Sequence, residues 1–586
     1  MTDSVLDVTA DALEQAGAHP HRLVVRQHGQ VVGRRRWAPW SPDVPSLVYS
    51  CSKTFTSAAV GIAVNRGAFG YDDTLADLWP QACTANTGPV AKSMTVRNAL
   101  SMSTGHSPEQ LLEPTLMSRR LPDLNTARIL LATEPEGRPG IDFAYNNLAT
   151  WMLSRLVAQH TGEDVDTIIT KEVLDPIGAG PHTWVRDADG IPMGFSGLHI
   201  DAEDLSLFGQ LLLDDGVHEA PVYYPRSGSG STVSVKSIAT ARPIRNGEWG
   251  MLADMDVKHG YRLDGAFGQY VLIVPEVDAV ITMTNEASEG PGDKQAILQA
   301  VWDHLLPALA DGFQPQPEEI VRTVPTVTGE FDSARSVQGI APDGSYIVVS
   351  PHKESRTWAM SWRCPGTFSH PTDETLDIAV GYEEWQTSHC RVGDDAIDIA
   401  TSGGWQGETF VARLCVISTP HTLTLRMTPE ATTTEWDNEP LNWWFAGPGA
   451  PGATTMSTTH IEIETVDQLR AAAPNLAGQV VQGSRPHRVQ QPPSSLRRLH
   501  DDLPWLLDLR PARSLVARPG RPHLPAIPGV PFDPYHPGAY TAEELYNDIG
   551  EGYHVTLDAA IDRCAAAWPL RHDCATPSPL LCMTTR

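Results

Sequence analysis

The apolar pattern changes period along the chain and divides it into regions. Up to about residue 312, short apolar runs alternate with helix-like periods. Residues 23–32 (LVVRQHGQVV) predict a hairpin, 54–66 a helix, 148–160 a second helix, and 270–284 paired strands about a Pro-Glu turn. Strands near both ends with helices between them predict an α/β (α+β) layer in which the N- and C-terminal segments share one sheet. Residues 313–318, which include QPQPE, read as a linker. From 319 to 450, short runs such as YIVVS, TWAMSW, LDIAVGY and HTLTLRM recur at roughly ten-residue spacing, which predicts an all-β barrel or sandwich. Seven of the 16 Trp fall in this region (Trp358, Trp362, Trp385, Trp405, Trp436, Trp443, Trp444), either as its core or as the lining of a cavity for one small molecule. Residues 451–586 form a tail with twelve Pro between Arg485 and Pro537, too many for continuous helix or sheet, so partial disorder is expected.

Composition narrows the classes of partner. In 586 residues, 71 Asp and Glu face 43 Lys and Arg, a net charge of −28. A chain this acidic is repelled by phosphate backbones and anionic lipid, so neither nucleic acid nor a membrane surface is expected as a partner. No run approaches the ~18 apolar residues of a bilayer span, and residues 1–15 carry four acids and no base, unlike a secretory signal. The eight Cys are scattered without a C-x-x-C pair, as for free thiols in a reducing compartment, and a cytoplasmic location is expected. The dispersed His residues and the lack of a Gly-rich nucleotide loop point to neither metal nor cofactor.

Only seven of the bases are Lys, which makes each one informative. Lys53 closes Ser50-Cys51-Ser52-Lys53, an S-x-x-K at the start of a helix with apolar Phe55, Ala58, Ala59, Ile62 and Ala63. Positions i and i+3 share a helix face, so the Lys53 amine can reach the Ser50 hydroxyl. A buried lysine at the positive end of a helix has its charged form disfavoured, leaving an amine able to take the serine proton. Alone, the motif fits a helix N-cap serine equally well, and Ser350-Pro351-His352-Lys353 repeats it after a strand with no helix to follow. A second motif adds weight. Tyr145-Asn146-Asn147, the one Y-x-N in the chain, opens the next amphipathic helix. There Tyr145 can share the base role and Asn147 can orient Lys53 and a substrate carbonyl; a buried Tyr with an Asn cap is the plainer alternative.

With these motifs in hand, residues 20–312 resemble the serine β-lactamase, penicillin-binding-protein and class C-type esterase superfamily. Residues 48–75 are similar to its nucleophile helix, 95–106 (TVRNALSMSTGH) to its LLTHTSG segment, and 143–156 to its Y-x-N helix. Residues 197–216 are similar to its GL-x-S-x-x-D-L helix, and 265–275 (GAFGQYVLIVP) to the strand after its third motif. The resemblance implies a β-lactamase/transpeptidase-like domain over 1–312, with an antiparallel sheet and a helical subdomain. It also implies an acyl-enzyme mechanism with Ser50 as nucleophile and Lys53 and Tyr145 exchanging its proton. The third motif departs from the family: residues 261–269 (YRLDGAFGQ) offer no Lys or His at the expected offset, and Lys258-His259-Gly260 lies a few residues early in an expected turn. A strand over 265–269 is therefore expected to edge the site, with Gly265, Gly268 and Gln269 beside Asn147 as substrate contacts. A neutral edge suits an ester or small amide better than a carboxylate-bearing lactam. The 319–450 region is similar to accessory barrels of some esterase and D-aminopeptidase-like members. Segments 461–483 and 524–560 faintly resemble N-terminal stretches of lonely-guy-type phosphoribohydrolases, without their phosphate loop. The leading expectation is a serine hydrolase acting on a small ester or amide. The alternatives are a ligand sensor on the same scaffold and a carrier function in the β-region. The oligomeric state is open.

Overall fold

The computed structural model describes residues 4–108, 110–111, 123–187, 189–218, 233–234, 254–257, 260–288, 291–364, 374–392 and 395–441. The tail from 451 and the Lys258-His259 pair lie outside the described residues. Two units are distinguished: one takes in the chain up to 69, 153–186 and 190 onward through the β-rich region, the other 70–152 with 187 and 189.

The first unit is built on a seven-stranded sheet. Its strands are β1 (Pro20–Gln27), β2 (Gln30–Ala38), β3 (Asp254–Val257), β4 (Gly260–Gly265), β5 (Gln269–Val274), β6 (Ala279–Asn285) and β7 (Gln316–Thr323), in the order β7-β2-β1-β6-β5-β4-β3. All neighbours are antiparallel except β7, which runs parallel to β2. The predicted hairpin is β1–β2, turned by His28 and Gly29 with φ of 52° and 73°, the pair of left-handed residues that matches strand twist. The β1–β6 pairing joins the N-terminal strand to the sheet's later strands, as the pattern predicts.

Helices cover both faces, so β1, β5 and β6 are buried at every position. Helix α1 (Val5–Gln15) is capped by Ser4, whose hydroxyl accepts the Asp7 N–H. Its Leu6, Ala10 and Leu13 pack with Leu23, Val25, Leu272 and Ile281. On the other face Gly209 presses against Val271 and Val280, within a helix described below. The second half of the segment read as a linker, residues 316–318, opens β7. Pro317 is tolerated there because an edge strand leaves one row of N–H groups unused. Ion pairs fix it: Glu319 with Arg36 at 2.8 Å and Arg22 at 3.7 Å, and Arg322 with Glu14 at 2.8 Å.

The β-rich region consists of a four-stranded antiparallel sheet (Val337–Ile340, Tyr346–His352, Thr357–Cys364, Glu374–Val380) and a five-stranded one (Gln386–Val392, Asp395–Gln406, Thr409–Val416, Thr422–Met427, Thr432–Trp436). Strict alternation sends Trp358, Met360, Trp362 and Cys364 inward. They share one core with Ile399, Phe410, Leu414 and Leu425 of the other sheet. Each sheet buries its apolar face on the other, so neither has to close on itself. Among the described residues no closed barrel forms, which corrects the barrel alternative of the sequence reading.

The second unit is helical. Thr95 and Asn98 make a reciprocal capping box, and the Glu134 carboxylate accepts the N–H groups of Val90 and Ala91 at 2.8 and 3.0 Å, capping a short helix. Among the described residues, no helix is long and apolar enough to cross a membrane, and no group of three or more His, Cys, Asp or Glu could hold a metal ion.

Candidate active site

A short strand, Ser46–Leu47, leads into a 3₁₀ turn, Tyr49–Cys51, and then helix α2, Ser52–Asn65. Residues 52–63 of α2 are all buried, many of them small (Ser52, Ser57, Ala58, Ala59, Gly61, Ala63), so neighbours close on every side. Hydroxyls tie its first turn to residues 194–198. Ser52 Oγ donates to the Tyr49 carbonyl at 2.5 Å and accepts the Leu198 N–H at 3.1 Å, while Thr56 Oγ1 donates to the Gly194 carbonyl at 2.8 Å.

Ser50 and Lys53 are brought together as the spacing predicts. Lys53 Nζ stands 2.7 Å from Ser50 Oγ and donates to the Phe195 carbonyl at 2.8 Å. Lys53 is 2% exposed, whereas Ser50 is half-buried. Burial, by desolvating the charged form, holds the Lys53 amine well below the usual lysine range. In its neutral form the amine keeps the Phe195 bond, and its lone pair accepts the Ser50 hydroxyl. Cys51, between them, is fully buried, and its thiol donates to the Gln269 carbonyl at 3.4 Å. Burial pushes that thiol well above its ordinary value, so it is no rival nucleophile.

The third-motif segment differs from its expectation. Residues 265–269 form a turn rather than a strand: Gly265 pairs with Gln269 across it, and Phe267 and Gly268 have φ of 62° and 81°. Left-handed backbone at two successive residues cannot continue a strand. Gln269 is fully buried, and its amide donates to the carbonyls of Ala266, Phe267 and Asn285 at 3.2, 3.2 and 2.7 Å, so it staples the turn. Gly265 lies against the nucleophile turn. A Cβ there would collide with the Val48 carbonyl oxygen, and would stand 2.9 Å from Gln269 Cβ and 3.3 Å from Cys51 Sγ.

Tyr145 and Asn147 lie in the helical unit. Asn147 begins helix α3 (Asn147–Thr161), the predicted second helix. The Asn146 carbonyl oxygen Oδ1 accepts the Ala149 N–H at 3.0 Å, and Asn146 Nδ2 donates to Thr104 Oγ1 at 3.3 Å, so Asn146 caps the helix. Asn147 is buried and Tyr145 half-buried. In the sheet unit, Asp201 caps helix α4 (Ala202–Leu213), which holds Gly209 and the Phe208 ring stacked 3.9 Å from Phe55 of α2.

Sequence reasoning missed several residues around Ser50. Phe195 contributes a backbone carbonyl, which no side-chain motif announces. Tyr49, Phe267, Glu286 and His421 meet in one buried cluster beside the nucleophile turn: Tyr49 hydrogen-bonds His421, and the Phe267 and His421 rings lie 4.6 Å apart. Glu286 Oε1 accepts the Thr422 N–H at 2.9 Å. The only possible signal was adjacency, Tyr49 standing next to Ser50.

Comparison with known proteins finds relatives for the first half of the chain. An esterase/β-lactamase LipL of Mycobacterium tuberculosis (strain ATCC 25618 / H37Rv) is 29% identical over 165 residues, 28% of this chain and 34% of that protein, so the match spans about a third of the relative's length. A class C β-lactamase from Rhodobacter sphaeroides superposes with a TM-score of 0.40 at 15% identity, covering 52% of this chain and 99% of that one. EstCE1, a hydrolase with promiscuous acyltransferase activity, superposes with a TM-score of 0.39 at 16% identity, covering 51% and 98%. The Beta-lactamase family model matches residues 9–305, just over half of the sequence. The chain belongs to the Beta-lactamase family, a membership that supports a serine-hydrolase type of function.

Proposed function

We propose that this protein is a serine hydrolase that cleaves a small ester or amide through an acyl-enzyme on Ser50. The observation that carries the proposal is the 2.7 Å contact between a half-buried Ser50 hydroxyl and a buried Lys53 amine whose charge is disfavoured by desolvation. Ser50 Oγ attacks the substrate carbonyl carbon as its proton passes to Lys53 Nζ. The oxyanion develops at the start of the turn, where the Ser50 N–H at the positive end of α2 stabilises it. The tetrahedral intermediate then collapses, the leaving group departs with the proton held on Lys53, and water repeats the sequence to release the acid.

Tyr145 enters this proposal from its motif, as a partner in moving the proton, and Asn147 as a ligand for the substrate carbonyl. Within residues 261–269 the one cation, Arg262, is already paired with Asp264 at 2.8 Å, and Gln269 is committed to its turn, which favours a neutral acyl group over a carboxylate-bearing one. Ser50→Ala tests the proposal. Turnover of a p-nitrophenyl ester should fall by at least ~10³-fold with the melting temperature held. Retention within about tenfold, ~1.4 kcal/mol of barrier, refutes it.

A further inference from the structure

The nucleophile turn is braced from a part of the chain far from it in sequence. Tyr49, immediately before Ser50, has φ of 46°, a left-handed conformation that bulky side chains rarely adopt. Such a conformation persists only where its surroundings over-determine it. Its ring meets Phe267 edge-on at 5.1 Å and His421 at 5.8 Å, and its hydroxyl hydrogen-bonds His421 Nε2 across 372 positions of sequence. His421 immediately precedes the Thr422–Met427 strand of the five-stranded sheet.

The direction of that hydrogen bond follows from the other side of the ring. His421 Nδ1 lies 2.9 Å from the Asn438 carbonyl, which can only accept, so Nδ1 carries the ring proton and Nε2 offers a lone pair. The Tyr49 O–H is therefore the donor. Desolvation holds the imidazole pKa down to about 3, which keeps it neutral in this tautomer. The ring is itself strapped to the central sheet. Glu286, just past β6, accepts the Thr422 N–H at 2.9 Å, and its carbonyl accepts Asn438 Nδ2 at 3.2 Å. Upstream, the Leu47 N–H donates to the Ser418 carbonyl at 2.9 Å. The β-rich region thus grips the chain on the approach to Ser50 at two points, Leu47 and Tyr49.

We propose that His421 is a positioning residue for the nucleophile: by accepting the Tyr49 hydroxyl it fixes the left-handed turn that sets Ser50 Oγ against Lys53 Nζ. The β-rich region is on this inference a working part of the catalytic unit. The inference rests on the acyl-enzyme reading of Ser50 and deepens it. A displacement of the order of 1 Å at a reacting atom costs up to ~10²-fold in rate, so the brace acts on acylation and leaves substrate affinity nearly alone.

The experiment measures acylation of Ser50 in the full chain by a fluorophosphonate and by the pre-steady-state burst with a p-nitrophenyl ester. Wild type is compared with Tyr49→Phe, His421→Phe, His421→Gln and the Tyr49→Phe/His421→Phe pair. Tyr49→Phe removes a single oxygen and serves even if His421→Phe fails to fold. The expected result is a loss of about tenfold or more in acylation rate for Tyr49→Phe and His421→Phe, with KM changed by less than about threefold. The double variant should be no slower than either single one, since both remove the same bond. His421→Gln, which keeps an acceptor, should recover most of the rate. Tyr49→Phe within twofold of wild type, or losses that multiply in the double variant, overturns the inference while labelling of wild-type Ser50 still upholds the acyl-enzyme reading. No labelling of wild-type Ser50 removes both.

Discussion

Gly265→Ala probes how tightly the central sheet is fitted to the nucleophile turn. The new methyl group would meet the Val48 carbonyl oxygen, Gln269 Cβ at 2.9 Å and Cys51 Sγ at 3.3 Å. Two of these atoms cannot swing away cheaply: the carbonyl is backbone, and the Gln269 side chain is pinned by three hydrogen bonds. Either β4 retreats or the turn carrying Ser50 does, by the order of 1 Å. Overpacking of this kind costs ~1–3 kcal/mol, which at ~2–4 °C per kcal/mol lowers the melting temperature by several degrees. Misplacing the nucleophile by that distance lowers kcat/KM by up to ~10²-fold. Gly209→Ala in α4 is the matched control. Its Cβ would stand 2.6 Å from Val271 Cγ1 and 2.6 Å from Val280 Cγ1, on the sheet's face. Comparable destabilisation is expected there with ester hydrolysis nearly intact. The assay pairs thermal melts with p-nitrophenyl ester kinetics below the melting range. If Gly265→Ala loses no more activity than Gly209→Ala at equal loss of stability, the fit of β4 to the turn has no bearing on Ser50.

Three further outcomes follow from the same geometry. Lys53→Arg should be nearly as inactive as Lys53→Met, because a guanidinium cannot give up its proton; substantial ester turnover by the Arg variant would make Lys53 a fixed charge rather than a base. The Lys53 pKa is depressed in the folded protein, so between its folded value and the ordinary lysine value of 10.5 the unfolded chain binds the extra proton and stability rises with pH. The wild-type melting temperature should carry that upward component and Lys53→Met should lack it, and identical pH slopes would contradict the burial argument. Trp362, fully buried in the β-rich core, should cost ~3–5 kcal/mol when changed to Ala in a denaturant melt; a loss under ~1 kcal/mol would mean the two sheets do not share a tight core.

The elements most legible in the sequence were those in which local pattern and tertiary role agree. The β1–β2 hairpin, α2 and α3 declared themselves by period, and Ser50 with Lys53 by a spacing that a helix turns into a contact. Strand β7 was hidden because it starts inside a linker-like run, with Pro315 just before it and Pro317 ahead of two glutamates within it. Its place comes from parallel pairing with β2 and from Arg22, Arg36 and Glu319, separated by nearly 300 positions. The 265–269 turn was read as a strand because its conformation rests on left-handed Phe267, a residue type that gives no warning of positive φ. His421 was invisible for a similar reason. A histidine before an alternating strand reads as a surface residue until the fold brings it to Tyr49.

The most direct test of the central claim is to incubate the full chain with a fluorophosphonate and map the adduct by tandem mass spectrometry. If Ser50 is the activated nucleophile, the chain takes up one equivalent on Ser50, Ser350→Ala labels like wild type, and Ser50→Ala does not label. An adduct on another residue, or unchanged labelling of Ser50→Ala, would contradict it.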